Sequence, residues 1–156
     1  MSQVLRGPLT VLGRLLLCTI FFLSAVGHKI PHFSDVAKIM ESAGMPAPQL
    51  LLAGAIVFLL AGSLSIIIGY KARIGAGLLL TFLVLASYYF HPFWKLQGQA
   101  QQEQMIQFMK NLSMMGAMLF VMANGSGPLS LDSWLTKRER LDAVAPEVPL
   151  AAASGR

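Results

Sequence analysis

The residues of this chain best suited to chemistry are basic and amide side chains near the ends of long apolar stretches. Lys29, His91 and Lys110 are predicted at the same end of a helical bundle, with Asn111 and His28 as neighbours. Ammonium, imidazole and amide groups donate hydrogen bonds, so such a cluster can attract an anion or the carbonyl oxygen of a quinone. The same lysines can instead extend to lipid phosphate at the interface. The sequence thus predicts a candidate anion or quinone site, with an interfacial anchor as the alternative.

Arg14 lies inside the first apolar stretch, away from this cluster. At a helical rise of about 1.5 Å per residue, it is about 22 Å from Lys29. An ionisable side chain at the centre of a bilayer costs about 2.5 to 3.5 kcal/mol to insert, so it usually faces the interior of a bundle. We therefore expect Arg14 to reach the inner interface or the bundle interior as a structural polar group.

Several kinds of site are excluded because the apolar stretches lack the residue types that these sites require. The stretches contain no Asp or Glu, so neither a proton relay through membrane carboxylates nor a carboxylate-bridged metal site is supported. Three scattered histidines form no zinc or haem pattern, and we expect no metal and no resident cofactor. Cys18 is the one cysteine, which rules out an internal disulfide and a CxxC redox pair.

Four apolar stretches position these residues, at about 9–27, 49–70, 74–90 and 106–123. Each is close to the length of about 20 residues at which a helix crosses a hydrocarbon core of about 30 Å. Hydrophobic residues make up 55% of the chain and charged residues 12%, and soluble domains carry about twice that charged share. The sequence therefore predicts an all-α, integral membrane four-helix bundle.

Two segments outside the spans have their own patterns. Apolar and charged residues alternate at helical spacing over Ser34–Ser42, which predicts a short amphipathic surface helix between spanning helices one and two. Residues 135–156 are charged and then rich in Ala and Pro, and we expect a disordered cytoplasmic tail. The four-span domain is accordingly assigned to residues 9–134.

The second stretch contains small residues at which membrane helices can approach closely, including Gly54, Ala61, Gly62 and Ser63. This pattern makes a homo-oligomer through helix two a possible assembly. The isoelectric point near 9.7 is that of a basic protein, but no stripe of basic and aromatic residues indicates nucleic-acid binding. The lipid bilayer is therefore the expected partner of the basic residues.

The basic residues at the span ends also predict an orientation. Six of them fall on the side of the two termini, and the opposite side has Lys29, Lys38 and Lys95. Basic loops stay in the cytoplasm, so we expect both termini to be cytoplasmic and the protein to lie in the plasma membrane, which is the inner membrane in bacteria. The six are Arg6, Lys71, Arg73, Lys137, Arg138 and Arg140.

Short motifs in a fixed order give the chain a family resemblance. They are LGR at 12–14, FLSAVGHK at 22–29, GSLSIIIGYKAR at 62–73, HPFW at 91–94, FMKNL at 108–112 and GSGPLSLD at 125–132. In this order the chain resembles the DoxX family over residues 9–134. The resemblance implies a compact four-helix membrane protein. Some members are subunits of thiosulfate:quinone oxidoreductases, and others are linked to membrane oxidoreductase assemblies that protect against oxidative stress.

The recurring polar residues of that family fall on seven positions of this chain. Lys29, His91, Trp94, Lys110 and Asn111 would then form the candidate ligand site, and Arg14 and Asp132 the structural or inner-face polar groups. Members often carry a glutamate before the paired small residues of helix two. Here residues 57–60 are Val-Phe-Leu-Leu, with no acid. Redox or proton chemistry that depends on this glutamate is therefore not expected of this chain.

Three functions follow as hypotheses. The first is an accessory subunit of a membrane oxidoreductase or oxidative-stress complex, with no activity of its own. The second is a quinone-linked oxidoreductase subunit acting directly, in which Lys29, His91 and Lys110 bind quinone as a substrate. The third is a membrane chaperone or cargo-binding protein that uses the Met-rich fourth helix as an adaptable contact surface.

Overall fold

The computed structural model describes residues 3–144, with side chains for residues 5–143. Its regular elements are all helical, and residues 3–144 contain no strand. They are α1 (Gln3–Leu23), a π-helical turn (Ser24–Lys29), α2 (Phe33–Ser42), α3 (Pro48–Ile68), α4 (Ala72–Phe90), a 3₁₀ turn (Phe93–Lys95), α5 (Gly98–Asn124) and α6 (Leu131–Val144). The prediction of an all-α fold is confirmed.

Four of the helical segments are long and apolar enough to cross a membrane, as predicted. They are Leu5–Lys29, Pro48–Ile68, Ala72–Lys95 and Gly98–Asn124. α3 packs between α1 and α4, and α5 packs on the other side of α4. Side chains from all four helices meet in one apolar core, which includes Cys18, Leu59, Leu79 and Met118. The core therefore fixes the four spans relative to one another.

Two helices approach each other closely where α3 and α4 cross at Gly62 and Gly75. A Cβ added at Gly62 would lie 2.9 Å from the Gly75 carbonyl oxygen, and one added at Gly75 would lie 2.9 Å from the Gly62 carbonyl oxygen. Gly62 and Ser63 are thus buried within the chain, so neither is free to contact a second copy. Homo-oligomerisation through helix two stays a prediction for its remaining small residues.

The amphipathic helix between the first two spans is present as α2, over Phe33–Ser42. Its apolar face buries Ala37 and Met40 against Leu52 of α3. The helix is followed by Gly44, whose φ of +76° is the left-handed conformation that glycine adopts readily. α2 therefore closes the end of the bundle at which α1 finishes.

Three boundaries differ from the sequence prediction. α1 begins at Gln3 and not near residue 9, so Pro8 lies inside it. α5 begins at Gly98 and not near residue 106, because the Gln-rich segment before the apolar run consists of good helix formers. The prediction of disorder from residue 135 is wrong for residues 135–144, which belong to α6. The rest of the predicted tail, residues 145–156, lies outside the described residues.

Candidate functional site

A cavity of about 500 Å³ lies at the end of the bundle where α1 finishes. Its walls come from α1 and the π-helical turn, α2, α3, α4 and α5, and most of its lining side chains are apolar. The apolar lining includes Phe21, Met40, Leu52, Phe58, Phe82, Leu83, Phe90 and Met114. The polar lining residues are Ser24, His28, Lys29, His91 and Asn111. This volume lies within the range of about 300 to 1,000 Å³ that is usual for small-molecule sites.

Lys29 supplies the one ammonium group that lines the cavity. Its Nζ donates a hydrogen bond to Ser24 Oγ at 2.6 Å and lies 5.4 Å from the centroid of the Phe82 ring. The side chain is half-buried, and no carboxylate of the described residues lies within ion-pair distance of it. An ammonium group has three protons to donate. The geometry therefore leaves Lys29 able to bind a further acceptor.

The π-helical turn over Ser24–Lys29 brings Ser24 and Lys29 together. Residues five apart in a regular α-helix are separated by about 140° around the axis, so an α-helical continuation would point these side chains in different directions. In the π-helix the backbone hydrogen bonds join residues five apart, and such turns are frequent at functional sites. Ile30 continues the pattern, since its N–H donates to the Ala25 carbonyl at 3.0 Å.

His91 follows the last residue of α4 and lines the cavity from another side. Its Nδ1 lies 2.7 Å from Oε1 of Gln104 on α5. An amide oxygen only accepts hydrogen bonds, so this contact places the donated proton on Nδ1. In the neutral imidazole the other nitrogen, Nε2, is then an acceptor. His91 can thus hold a ligand hydroxyl without giving up its contact with α5.

Asn111 enters the cavity wall from α5 and is fixed by α4. Its Nδ2 donates to Ser87 Oγ at 3.0 Å, and the Ser87 hydroxyl donates to the Leu83 carbonyl at 2.7 Å. The amide oxygen of Asn111 makes no hydrogen bond within residues 3–144. The cavity therefore combines a donor at Lys29 with acceptors at Asn111 and His91.

Two of the sequence-predicted ligand residues lie outside this cavity. Trp94 is exposed and packs in an aromatic cluster with Tyr88, Phe93 and Phe108. Lys110 is exposed on α5 and does not line the cavity. The structure thus brings Lys29, His91 and Asn111 to one site and leaves Trp94 and Lys110 apart from it.

Arg14 and Asp132 lie together at the opposite end of the bundle, where the α5–α6 connection crosses α1 and the α3–α4 turn. Arg14 is 6% exposed, and its Nη2 donates to the Leu129 carbonyl at 2.6 Å. Asp132 Oδ1 accepts from the Lys71 N–H at 3.0 Å, and the Asp132 N–H donates to the Gly69 carbonyl at 2.9 Å. These contacts fasten the connection to α1 and to the α3–α4 turn.

Sequence reasoning misses three residues that complete the candidate site. Ser24 holds Lys29, Gln104 holds His91 and Ser87 holds Asn111. Ser87 and Asn111 lie on different spans, and no spacing within one helix relates them. The contact of Ser24 with Lys29 could not be predicted from helical spacing, because it depends on a local change from α-helix to π-helix. Gln104 lies before the predicted fourth stretch at 106–123, and only the longer α5 brings it to His91.

Within residues 3–144 no group of three or more His, Cys, Asp or Glu side chains is arranged to hold a metal ion. The cavity instead offers a mostly apolar volume with a few hydrogen-bonding groups in its lining. Such a site suits a lipid-soluble molecule with a carbonyl, hydroxyl or anionic head group.

Comparison with known proteins gives consistent matches. The family model described as DoxX matches residues 9–92. Inner membrane protein YphA of Escherichia coli (strain K12) is 30% identical over 127 residues, covering 81% of this chain and 90% of that protein. Inner membrane protein YqjF of the same organism is 30% identical over 128 residues, covering 82% of this chain and 93% of that protein. No solved structure matches.

Proposed function

The chain belongs to the DoxX family of inner membrane proteins, and on this premise we propose that it binds a quinone in the cavity beside Lys29. In this proposal it acts as an accessory subunit of a membrane oxidoreductase complex. The observation that carries the proposal is Lys29 itself, a half-buried ammonium group in an apolar cavity with one hydroxyl partner.

The electrostatics at Lys29 favour a ligand with an electron-rich oxygen. A charge held in an apolar cavity is costly unless it is paired or hydrogen-bonded. Ser24 Oγ and the face of the Phe82 ring meet part of this requirement. A quinone carbonyl oxygen can accept a further Lys29 proton, and the amide oxygen of Asn111 can accept from the hydroxyl of the reduced form.

The remaining walls suit a hydrophobic ring and tail. Phe58, Phe82 and Phe90 line the cavity, and aromatic side chains pack well against a flat ring. Ile20 and Leu85 line it as well and are 54% and 47% exposed. The cavity therefore reaches the apolar outer surface of the bundle, and a ligand dissolved in the bilayer can enter from the side.

The accessory role is carried over from the family resemblance, and one feature of helix two favours it over direct catalysis. Phe58 lines the cavity in the segment where family members often carry a glutamate. An apolar wall at this position can bind a ring but cannot exchange protons with it. In the proposal, a partner subunit therefore supplies the electron and proton transfer.

A pair of lysine variants tests the binding site. Lys29→Met removes the ammonium group inside the cavity, and Lys110→Met removes one outside it. A hydrogen bond to a charged group contributes about 1.5 to 3 kcal/mol, so Lys29→Met is expected to weaken the binding of a short-chain ubiquinone by about 10- to 150-fold. The measurement is a quinone titration of each purified protein in nanodiscs. Equal weakening by the two variants would contradict the proposal.

The accessory role has a separate test in the activity of the isolated chain. The purified protein is incubated with thiosulfate and a soluble quinone, and quinone reduction is followed by absorbance. The accessory role predicts quinone binding without turnover, and turnover by the isolated chain would instead establish direct catalysis.

For the orientation, we propose that both termini are cytoplasmic. The α3–α4 turn, the start of α4 and α6 lie at the same end of the bundle. They carry Lys71, Arg73, Lys137, Arg138 and Arg140. Basic residues beside membrane spans are retained in the cytoplasm. The cavity would then lie in the half of the bundle that faces away from the cytoplasm.

A further inference from the structure

A second concave site lies at the other end of the bundle and is independent of the quinone proposal. It is a cleft of about 900 Å³ between the start of α4, the α5–α6 connection and the first turns of α6. Lys71, Arg73, Lys137 and Arg140 line it, and this set is called the basic cleft below. None of these side chains takes part in the candidate site described above.

The charge of the basic cleft is not neutralised within the described chain. Asp132 and Glu139 are its acidic lining residues. Both oxygens of Asp132 already have partners, since Oδ1 accepts from the Lys71 N–H and Oδ2 lies 3.3 Å from Ser126 Oγ. Across residues 3–144 the one ion pair within 4 Å is Lys38–Asp35, at the far end of the bundle. The four cations of the cleft therefore exceed its acids.

Backbone N–H groups add to the positive electrostatic potential of the basic cleft. Ala72 and Arg73 are the first residues of α4, a helix of 19 residues, so their N–H groups have no acceptor within that helix. The positive end of the helix dipole faces the same region. Arg73 lies beside Gly125, where an added Cβ would be 3.7 Å from its Nε, and its Nη2 lies 3.4 Å from the Ala123 carbonyl. These contacts hold the guanidinium over the cleft.

We propose that the basic cleft binds a phosphate group, with Arg73 and Arg140 as its main ligands. Guanidinium groups hold phosphate oxygens with two parallel hydrogen bonds, and the free N–H groups of a helix start add further donors. The phosphate can belong to the head group of an anionic phospholipid or be free in solution. The chemistry of recognition is the same for both.

A general excess of positive charge at this end does not account for the cleft. Arg6 and Arg138 lie at the same end but do not line it, and Arg138 instead lies 5.6 Å from the Trp134 ring. The lining cations come from two distant parts of the chain, residues 71–73 and 137–140, and converge on one volume. Convergence of this kind distinguishes a binding site from a scattered interfacial charge.

The test compares two double variants that remove the same charge from the same end. Arg73→Gln with Arg140→Gln alters the cleft, and Arg6→Gln with Arg138→Gln is the control. Each protein is placed in nanodiscs of phosphatidylcholine with a minor fraction of phosphatidylglycerol, and retained lipid is counted by native mass spectrometry. We expect the wild type and the control to retain phosphatidylglycerol. The amount retained by the cleft variant should be at least about tenfold lower.

A second arm identifies the source of the phosphate. Radiolabelled inorganic phosphate is added to the same proteins in pure phosphatidylcholine nanodiscs. Binding that depends on Arg73 and Arg140 would assign the site to free phosphate, and retention of phosphatidylglycerol alone would assign it to a lipid head group. Equal behaviour of the cleft variant and the control in both arms would overturn the proposal.

A conservative variant keeps the test valid if the glutamine variant does not fold. Arg73→Lys with Arg140→Lys preserves the charge but removes the planar fork of each side chain. We expect retention of the phosphate-bearing ligand to fall several-fold, between the wild type and the glutamine variant. Retention equal to that of the wild type would show that binding depends on positive charge alone and not on the geometry of the guanidinium groups. It would overturn the assignment of the two arginines as ligands.

Discussion

At the scale of single residues, Lys29 and Lys110 differ in their surroundings although the sequence presents them alike. Both are lysines near the end of a span. Lys29 lines the cavity and contacts Ser24 and Phe82, while Lys110 is exposed on α5. The difference arises from the π-helical turn and from which face of α5 is turned toward the cavity. Neither feature can be predicted from residue type or spacing. This is why the sequence could propose the cluster but could not separate its members.

The contacts of Asp132 give a prediction for stability. Its carboxylate accepts the Lys71 N–H just before the start of α4, which is comparable to a helix cap. We expect Asp132→Ala to lower the free energy of unfolding by about 0.5 to 2 kcal/mol. Asp132→Asn keeps an acceptor oxygen and should lose less. The measurement is unfolding in increasing SDS, followed by circular dichroism, and an Asn variant as unstable as the Ala variant would contradict the capping role.

At the scale of helices, the apolar spans could be predicted and the polar helices could not. Long apolar runs identify α3 and α4 closely and locate α1 apart from its first turns, because a membrane span requires about 20 such residues. The first turns of α5 and most of α6 are polar or charged, so hydropathy does not distinguish them from loops. Their helical form depends on helix-forming residues such as Gln, Leu, Lys and Glu and, for α6, on the contacts of Asp132.

The crossing of α3 and α4 gives a prediction with a matched control on the same helix. A Cβ at Gly75 would lie 2.6 Å from Ser65 and 2.9 Å from a carbonyl oxygen of α3, whereas one at Gly77 has nothing within 4 Å. Overpacking of this kind costs about 1 to 3 kcal/mol. We expect Gly75→Ala to be less stable than the wild type by about this amount, and Gly77→Ala to be at least as stable as the wild type, since alanine favours a helix over glycine. Unfolding in SDS measures both variants, and equal stabilities would mean that the helices do not cross here.

At the scale of the whole molecule, the two ends of the bundle have different chemistry. One end has an apolar cavity with a single ammonium group, and the other has the basic cleft. Cys18, Phe21, Leu79 and Leu83 fill the core between the ends. Met114 and Met115 pack against this core and Met118 is part of it, whereas Met105, Met109 and Met122 of the same helix are exposed. The cargo-binding surface stays a prediction for these exposed methionines.

The predicted orientation of the protein across the membrane can be tested by placing one cysteine at each end of the bundle. In a Cys18→Ala background, Lys38→Cys lies on α2 and Lys137→Cys lies on α6, and both positions are exposed. Since basic residues stay in the cytoplasm, a maleimide that cannot cross the membrane should label position 38 in spheroplasts and position 137 only after lysis. Labelling of position 137 in intact spheroplasts would place the termini outside.

Native mass spectrometry of the protein extracted gently from its own membrane tests the central claim most directly. Wild type, Lys29→Met and Lys110→Met are compared for bound quinone, lipid and protein partners in one experiment. Quinone bound in a fixed ratio to the wild type and to Lys110→Met, and lost from Lys29→Met, is the result predicted by the cavity beside Lys29. A wild-type protein that carries only phospholipid, or quinone retained equally by Lys29→Met, would contradict it.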